Sequence, residues 1–228
     1  MVVDADLRPE GKGGPLVRTV SSYLSYYARW SSVWEAQALL RARSAAGEHE
    51  LASAVLEGVE GLRYPDGGLT AAQVAEIRRL KSRMENERIP RGTDKERHLK
   101  LGSGGLSDVE WTIQLLQLQH AGARSALRTP STLQAIDAAE GLELLTAEQA
   151  ADLREGWVHV SRVRNAIMLV RGRPGDALPV DYREQSAVAE LAGYDPGQRS
   201  RLVDDTIRVM RRASWVVNQV FWGELPKE

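Results

Sequence analysis

Apolar positions along the chain recur at helical spacing over most of its length and alternate almost nowhere. From Thr70 to Arg88, Val74, Ile77, Leu80 and Met84 stand three and four apart, which places them on one face of a helix that Pro90 ends. Thr146 caps a longer run to about Arg171, with Leu153, Trp157, Val160, Val163, Ile167 and Val170 as its predicted buried stripe. Further helices are predicted from Thr19 or Ser21 to about Trp30, from Val33 to Ala46 ahead of Gly47, and from Glu48 to Leu62. Ser107 opens another, with Trp111, Leu115 and Leu118 inward; Ser131 caps the next, and Arg183 to Ala192 and Gly197 to about Trp222 close the chain. The short connections in the second half predict an antiparallel helical bundle.

One segment reads as extended. Met1 to Leu7 carries two valines and then Asp4 and Asp6, which share a face because side chains two apart do so on a strand. Arg8 to Pro15 follows with three glycines and two prolines, which sustain neither a helix nor a central strand. His98 to Leu101 is the only other strand candidate, so Met1 to Leu7 is expected to be the remnant of a sheet whose other strands lie upstream.

Composition narrows the function classes. The 228 residues, 43% hydrophobic and 27% charged, suffice for one or two packed domains, and a net charge of -1 provides no basic field for nucleic acid or an anionic membrane. Without cysteine there is no disulfide framework, thiolate zinc site or cysteine nucleophile. No apolar stretch approaches the roughly 18 residues of a membrane span, and the N-terminus lacks a signal pattern, so a soluble cytoplasmic protein is expected. His49, His98, His120 and His159 have no metal-ligand spacing, and the six tryptophans fall among aliphatics as core residues do.

Asp4 and Asp6 on one face suit a hard divalent cation, although by spacing alone two carboxylates at a strand end are far more often simply solvated. Their setting adds to this. Val3-Asp4-Ala5-Asp6-Leu7-Arg8-Pro9-Glu10-Gly11, then Gly14-Pro15-Leu16-Val17, resembles the third-carboxylate strand of the polymerase-β-like nucleotidyltransferase domain in the glutamine synthetase adenylyltransferase family. Trp34-Glu35-Ala36-Gln37-Ala38-Leu39-Leu40-Arg41-Ala42-Arg43 is similar to that family's next helix, and Lys100-Leu101-Gly102-Ser103-Gly104-Gly105-Leu106-Ser107-Asp108-Val109-Glu110-Trp111 to its lysine, glycine-pair, acidic motif. The resemblance extends over nearly the whole chain, including Arg164-Asn165 and Arg211-Arg212-Ala213.

The resemblance implies a two-half enzyme that transfers AMP from ATP to a tyrosine of glutamine synthetase in one half and removes it by phosphorolysis in the other. The wording from Leu99 onward is closer to the C-terminal, adenylylating half. It further implies a mainly α fold: residues 1–46 as the C-terminal end of an α/β nucleotidyltransferase domain, incomplete here, and 47–228 as a helical bundle domain. Asp4 would be the third carboxylate holding catalytic Mg²⁺. The first pair, an aspartate-x-aspartate after glycine-serine, is absent, since Gly102-Ser103 is followed by glycines. The 228 residues alone are therefore expected to be inactive. Arg8 and Lys100 are the candidate phosphate contacts. Gly104-Gly105 stands before a helix whose free amides suit an anion, but Asp108 and Glu110 in its first turn repel one, so Asp108 reads as a cap, a support to the metal or a positioner of the tyrosine. Expected partners are glutamine synthetase, a PII-type regulator and the rest of a longer polypeptide. The competing reading is a helical module that docks glutamine synthetase or a PII-type protein without catalysing anything.

Overall fold

The computed structural model describes residue 5 and residues 7–89, 92 and 94–224; Asp4, Asp6 and most of the Met1 to Leu7 strand prediction lie outside these. Among the described residues the chain is mainly helical and contains no strand. Its α-helices are α1 (Val20–Trp30), α2 (Val33–Leu39), α3 (His49–Gly58), α4 (Glu60–Arg63), α5 (Ala71–Arg88), α6 (Leu106–His120), α7 (Thr132–Gly141), α8 (Ala147–Arg171), α9 (Tyr182–Leu191) and α10 (Arg199–Val217). None is long and apolar enough to cross a membrane.

Side-chain caps set several of the starts. Thr19 accepts from the Ser22 amide at 3.2 Å, Asp181 from the Glu184 amide at 2.9 Å, and Thr146 exchanges bonds with Gln149 in a capping box. Thr70 and Gln73 do the same ahead of α5. Two helices are shorter than their patterns predict. α2 stops at Leu39 rather than near Ala46, and beyond it the Ala42 carbonyl accepts from the Arg63 guanidinium at 3.2 Å instead of from a helical amide. The predicted Glu48 to Leu62 helix breaks at Val59, a buried β-branched residue at φ -106 and ψ 8. His98 to Leu101 is not a strand: His98 makes an isolated antiparallel bridge with Ala177, flanked by Leu99 N–H donating to Asp176 O at 2.7 Å and Leu178 N–H to Arg97 O at 2.9 Å.

The chain divides into two compact units, residues 1–77 with 114–131, and 78–113 with 132–228. The first packs α1 on α3 and α2 on α4, with Leu40, Val59, Ile77, Leu118 and Leu127 among its fully buried side chains. In the second, α8 packs against α7, α9 and α10, and Leu99, Val160, Val163, Ile167, Val188, Leu202 and Val209 form one continuous core. Four of the six predicted stripe residues of α8 are in the buried set; Trp157 and Val170 are half-buried. Truncating any of the core leucines or isoleucines to alanine costs about 2–5 kcal/mol by transfer plus cavity.

Candidate functional site

The glycine-rich stretch after position 7 is a closed loop held by Arg8. Its Nε and Nη2 donate to the Gly14 carbonyl at 3.2 and 3.1 Å, and Nη1 donates to the Ala5 carbonyl at 2.7 Å. One planar guanidinium thus ties the two ends of the loop together. Glu10 and Gly11 take the left-handed conformation at φ 63 and 53, and a Cβ on Gly14 would lie 2.3 Å from the Pro9 carbonyl, so no other residue fits there. Gly13 has open space around it.

Beside this loop the first unit holds a cleft lined by Leu7, Arg8, Tyr23, Tyr27, Trp34 and Ala38 among others. Tyr27 is buried against Tyr23, ring centroids 5.0 Å apart, and that burial keeps its hydroxyl protonated far above the ordinary range. Glu35 anchors the wall: it accepts from Tyr26 Oη at 2.8 Å and from the Ser32 amide at 2.9 Å. Burial, reinforced by the Glu35 carboxylate, likewise raises the Tyr26 hydroxyl.

In the second unit, the Gly102 to Ser107 segment closes on itself. Gly105 N–H donates to Gly102 O, Leu106 N–H to Leu99 O, Ser107 N–H to Lys100 O and Asp108 N–H to Gly105 O, all at 2.9–3.0 Å. Gly104 N–H donates to Asp108 Oδ2 at 2.7 Å. The amides at the start of α6 are therefore spent within the protein, and the anion cradle that the glycine pair suggests is not formed. The glycines serve close approach instead: a Cβ on Gly104, at φ +71, would lie 1.7 Å from the Met210 carbonyl of α10, and one on Gly102 2.2 Å from the Lys95 carbonyl.

Asp108 is buried, and its other oxygen pairs with the ammonium of Lys81, which also pairs with Glu85. The Lys81 side chain is 0% exposed and its Nζ lies 5.8 Å from the Phe221 ring centroid and 6.0 Å from that of Trp111. Burial, with Asp108 nearby, raises the Glu85 carboxyl above its usual range despite Lys81. The Phe221 carbonyl, in a π-helical turn at Asn218–Trp222, accepts from Arg78 Nε at 2.6 Å. Sequence reasoning missed this cluster. The signal was present: Lys81 stands four residues after Ile77 and four before Glu85, so a face drawn through Ile77 meets both.

Of the predicted site residues, Asp4 lies outside the described residues, Arg8 closes the first loop, Asp108 is committed to Lys81 and Gly104, and Lys100 is exposed with no side-chain partner among the described residues. Arg8 belongs to the first unit, Lys100 and Asp108 to the second. Among the described residues no three carboxylate or histidine groups come together as a metal site would need.

Two family models match the chain: Glutamate-ammonia ligase adenylyltransferase over residues 1–58 and GlnD PII-uridylyltransferase over residues 71–221. The chain is 55% identical over 224 residues to a protein of Cutibacterium acnes named bifunctional glutamine synthetase adenylyltransferase/adenylyl-removing enzyme, covering 98% of this chain and 23% of that protein. Proteins of the same name from Streptomyces avermitilis and Mycobacterium marinum are 56% and 50% identical over 223 and 219 residues, 98% and 96% of this chain and 22% of each relative. The chain thus spans about a fifth of the length of these curated relatives.

Proposed function

The chain belongs to the family of bifunctional glutamine synthetase adenylyltransferase/adenylyl-removing enzymes, and we propose that it serves the transfer of AMP from ATP to a tyrosine of glutamine synthetase, within the C-terminal, adenylylating half. The observation that carries this reading is the loop directly after Asp4, whose glycines and proline stand where the family motif has them and which Arg8 fastens into one conformation. In this proposal Asp4 is the third carboxylate toward catalytic Mg²⁺, with its fellow ligands supplied by the aspartate-x-aspartate pair of a longer polypeptide. Residues 1–46 are then the end of the nucleotidyltransferase domain and 47–228 a helical domain whose later helices form an antiparallel bundle.

The transfer itself is an in-line attack of the tyrosine oxygen on the α-phosphorus, so what this chain's residues contribute is placement and charge. Arg8 holds the backbone around the nucleotide and adds a positive charge there. Lys100, exposed, reaches a phosphate or a neighbouring domain; Asp108 acts at one remove by fixing the Gly104 turn that sets the position of Lys100. The 228 residues alone, with one carboxylate of three, do not transfer AMP. The match of residues 71–221 to the GlnD PII-uridylyltransferase model supports a PII-type protein as the regulator, and all of this is set in the cytoplasm without nucleic acid or membrane.

The test is a matched pair of substitutions in a polypeptide that also carries the first carboxylate pair. Asp4→Asn abolishes transfer with little loss of stability, while Asp6→Asn, at a position where the family wording varies, keeps most of it. Full activity of the Asp4→Asn protein at ordinary Mg²⁺ removes this strand from the active site.

A further inference from the structure

We propose that the cleft of the first unit seats the adenine ring of the nucleotide; this rests on the adenylyl-transfer reading and gives its substrate a binding surface. On α2, Trp34 and Ala38 are four residues apart and share a face, and Arg41, just beyond the helix, lines the cleft with them. Trp34 is 44% exposed and has no ring partner among the described residues, while the small Ala38 leaves a floor beside it. Tyr23 and Tyr27, their rings tilted at 57° to one another, line the same cleft. A flat heteroaromatic ring entering here meets tryptophan and tyrosine rings, the surroundings in which bases stack.

Size and position are compatible with a base. The cleft volume is about 270 Å³, near the lower end of the roughly 300–1,000 Å³ of small-ligand sites. Leu7 lines it, and covalent geometry keeps Leu7 within about 11 Å of Asp4 in any conformation, a separation that one nucleoside bridges between its base and its α-phosphate. Arg8, at the same end, is where the phosphates would leave the cleft.

Titration calorimetry of the chain with AMP, in the absence of metal, tests this. Ribose 5-phosphate, which lacks the base, is the comparison ligand. AMP is expected to bind in the millimolar range or tighter, ribose 5-phosphate not to compete, and both Ala38→Leu and Trp34→Ala to weaken AMP about fivefold or more. Trp34→Ala, at an exposed position, guards against a folding failure of Ala38→Leu. Absence of AMP binding, or binding that neither substitution changes, overturns the proposal. The two readings fail separately. AMP held in the cleft by a complete enzyme that transfers none refutes adenylyl transfer, whereas unimpaired transfer by Ala38→Leu with an unchanged KM for ATP refutes the cleft.

Discussion

The two glycine-rich segments, one after residue 8 and one before α6, look alike as sequence: each has a basic residue, a run of glycines and a helix to follow. They are built on opposite principles. In the first a cation, the Arg8 guanidinium, gathers carbonyl oxygens at the loop's ends, and a glycine such as Gly13 has open space around it. In the second an anion, the Asp108 carboxylate, takes up the Gly104 amide, and the amides of Gly105, Leu106, Ser107 and Asp108 are bonded to nearby backbone carbonyls. Glycines before a helix therefore signal a phosphate cradle only when their amides are unspent; here they let the chain pass within contact of α10.

The contrast gives substitutions of graded effect. The largest is Lys81→Met, which leaves the buried Asp108 and the half-buried Glu85 without their counter-ion and should cost about 3–5 kcal/mol in denaturant unfolding, far above the effect of an exposed ion pair. Gly104→Ala comes next, at about 3 kcal/mol, from the left-handed backbone and the clash with the Met210 carbonyl together. A smaller effect belongs to Glu85. Its carboxyl is raised in the folded state, so the stability it contributes is present below the ordinary value of 4.5 and is lost as pH rises through the folded value. The stability difference between the parent and Glu85→Gln should therefore move in favour of the variant as pH increases above about 4.5, and a flat difference would refute the shift. Gly13→Ala should be silent, within about 0.5 kcal/mol, since nothing stands within 4 Å of the added methyl and its φ is not left-handed.

Much of the fold was legible because helix starts are written in local chemistry. The Thr146 to Arg171 and Thr70 to Arg88 predictions coincide with α8 and α5, where a threonine cap is followed by glutamine three residues on. What was not legible depended on contacts distant in sequence. The early end of α2 follows from Arg63 taking the Ala42 carbonyl, and no local pattern at 40–46 announces it. The face of α5 was drawn through Leu80 because lysine counts as polar, yet Lys81 is fully buried and Leu80 only partly so; its burial requires Asp108, which lies 27 residues away. At the candidate site the sequence offers motifs, and which of their amides are already bonded was not legible, since hydrogen-bond saturation of the α6 amides is a property of the folded loop alone.

Hydrogen exchange of the chain with and without AMP tests the central claim, that the first glycine loop and its neighbouring cleft face the nucleotide while the second is internal packing. The expected result is added protection across residues 7–16 and 34–41 and no change in the amides of residues 102–108. Protection appearing at residues 102–108, with residues 7–16 and 34–41 unchanged, would contradict it.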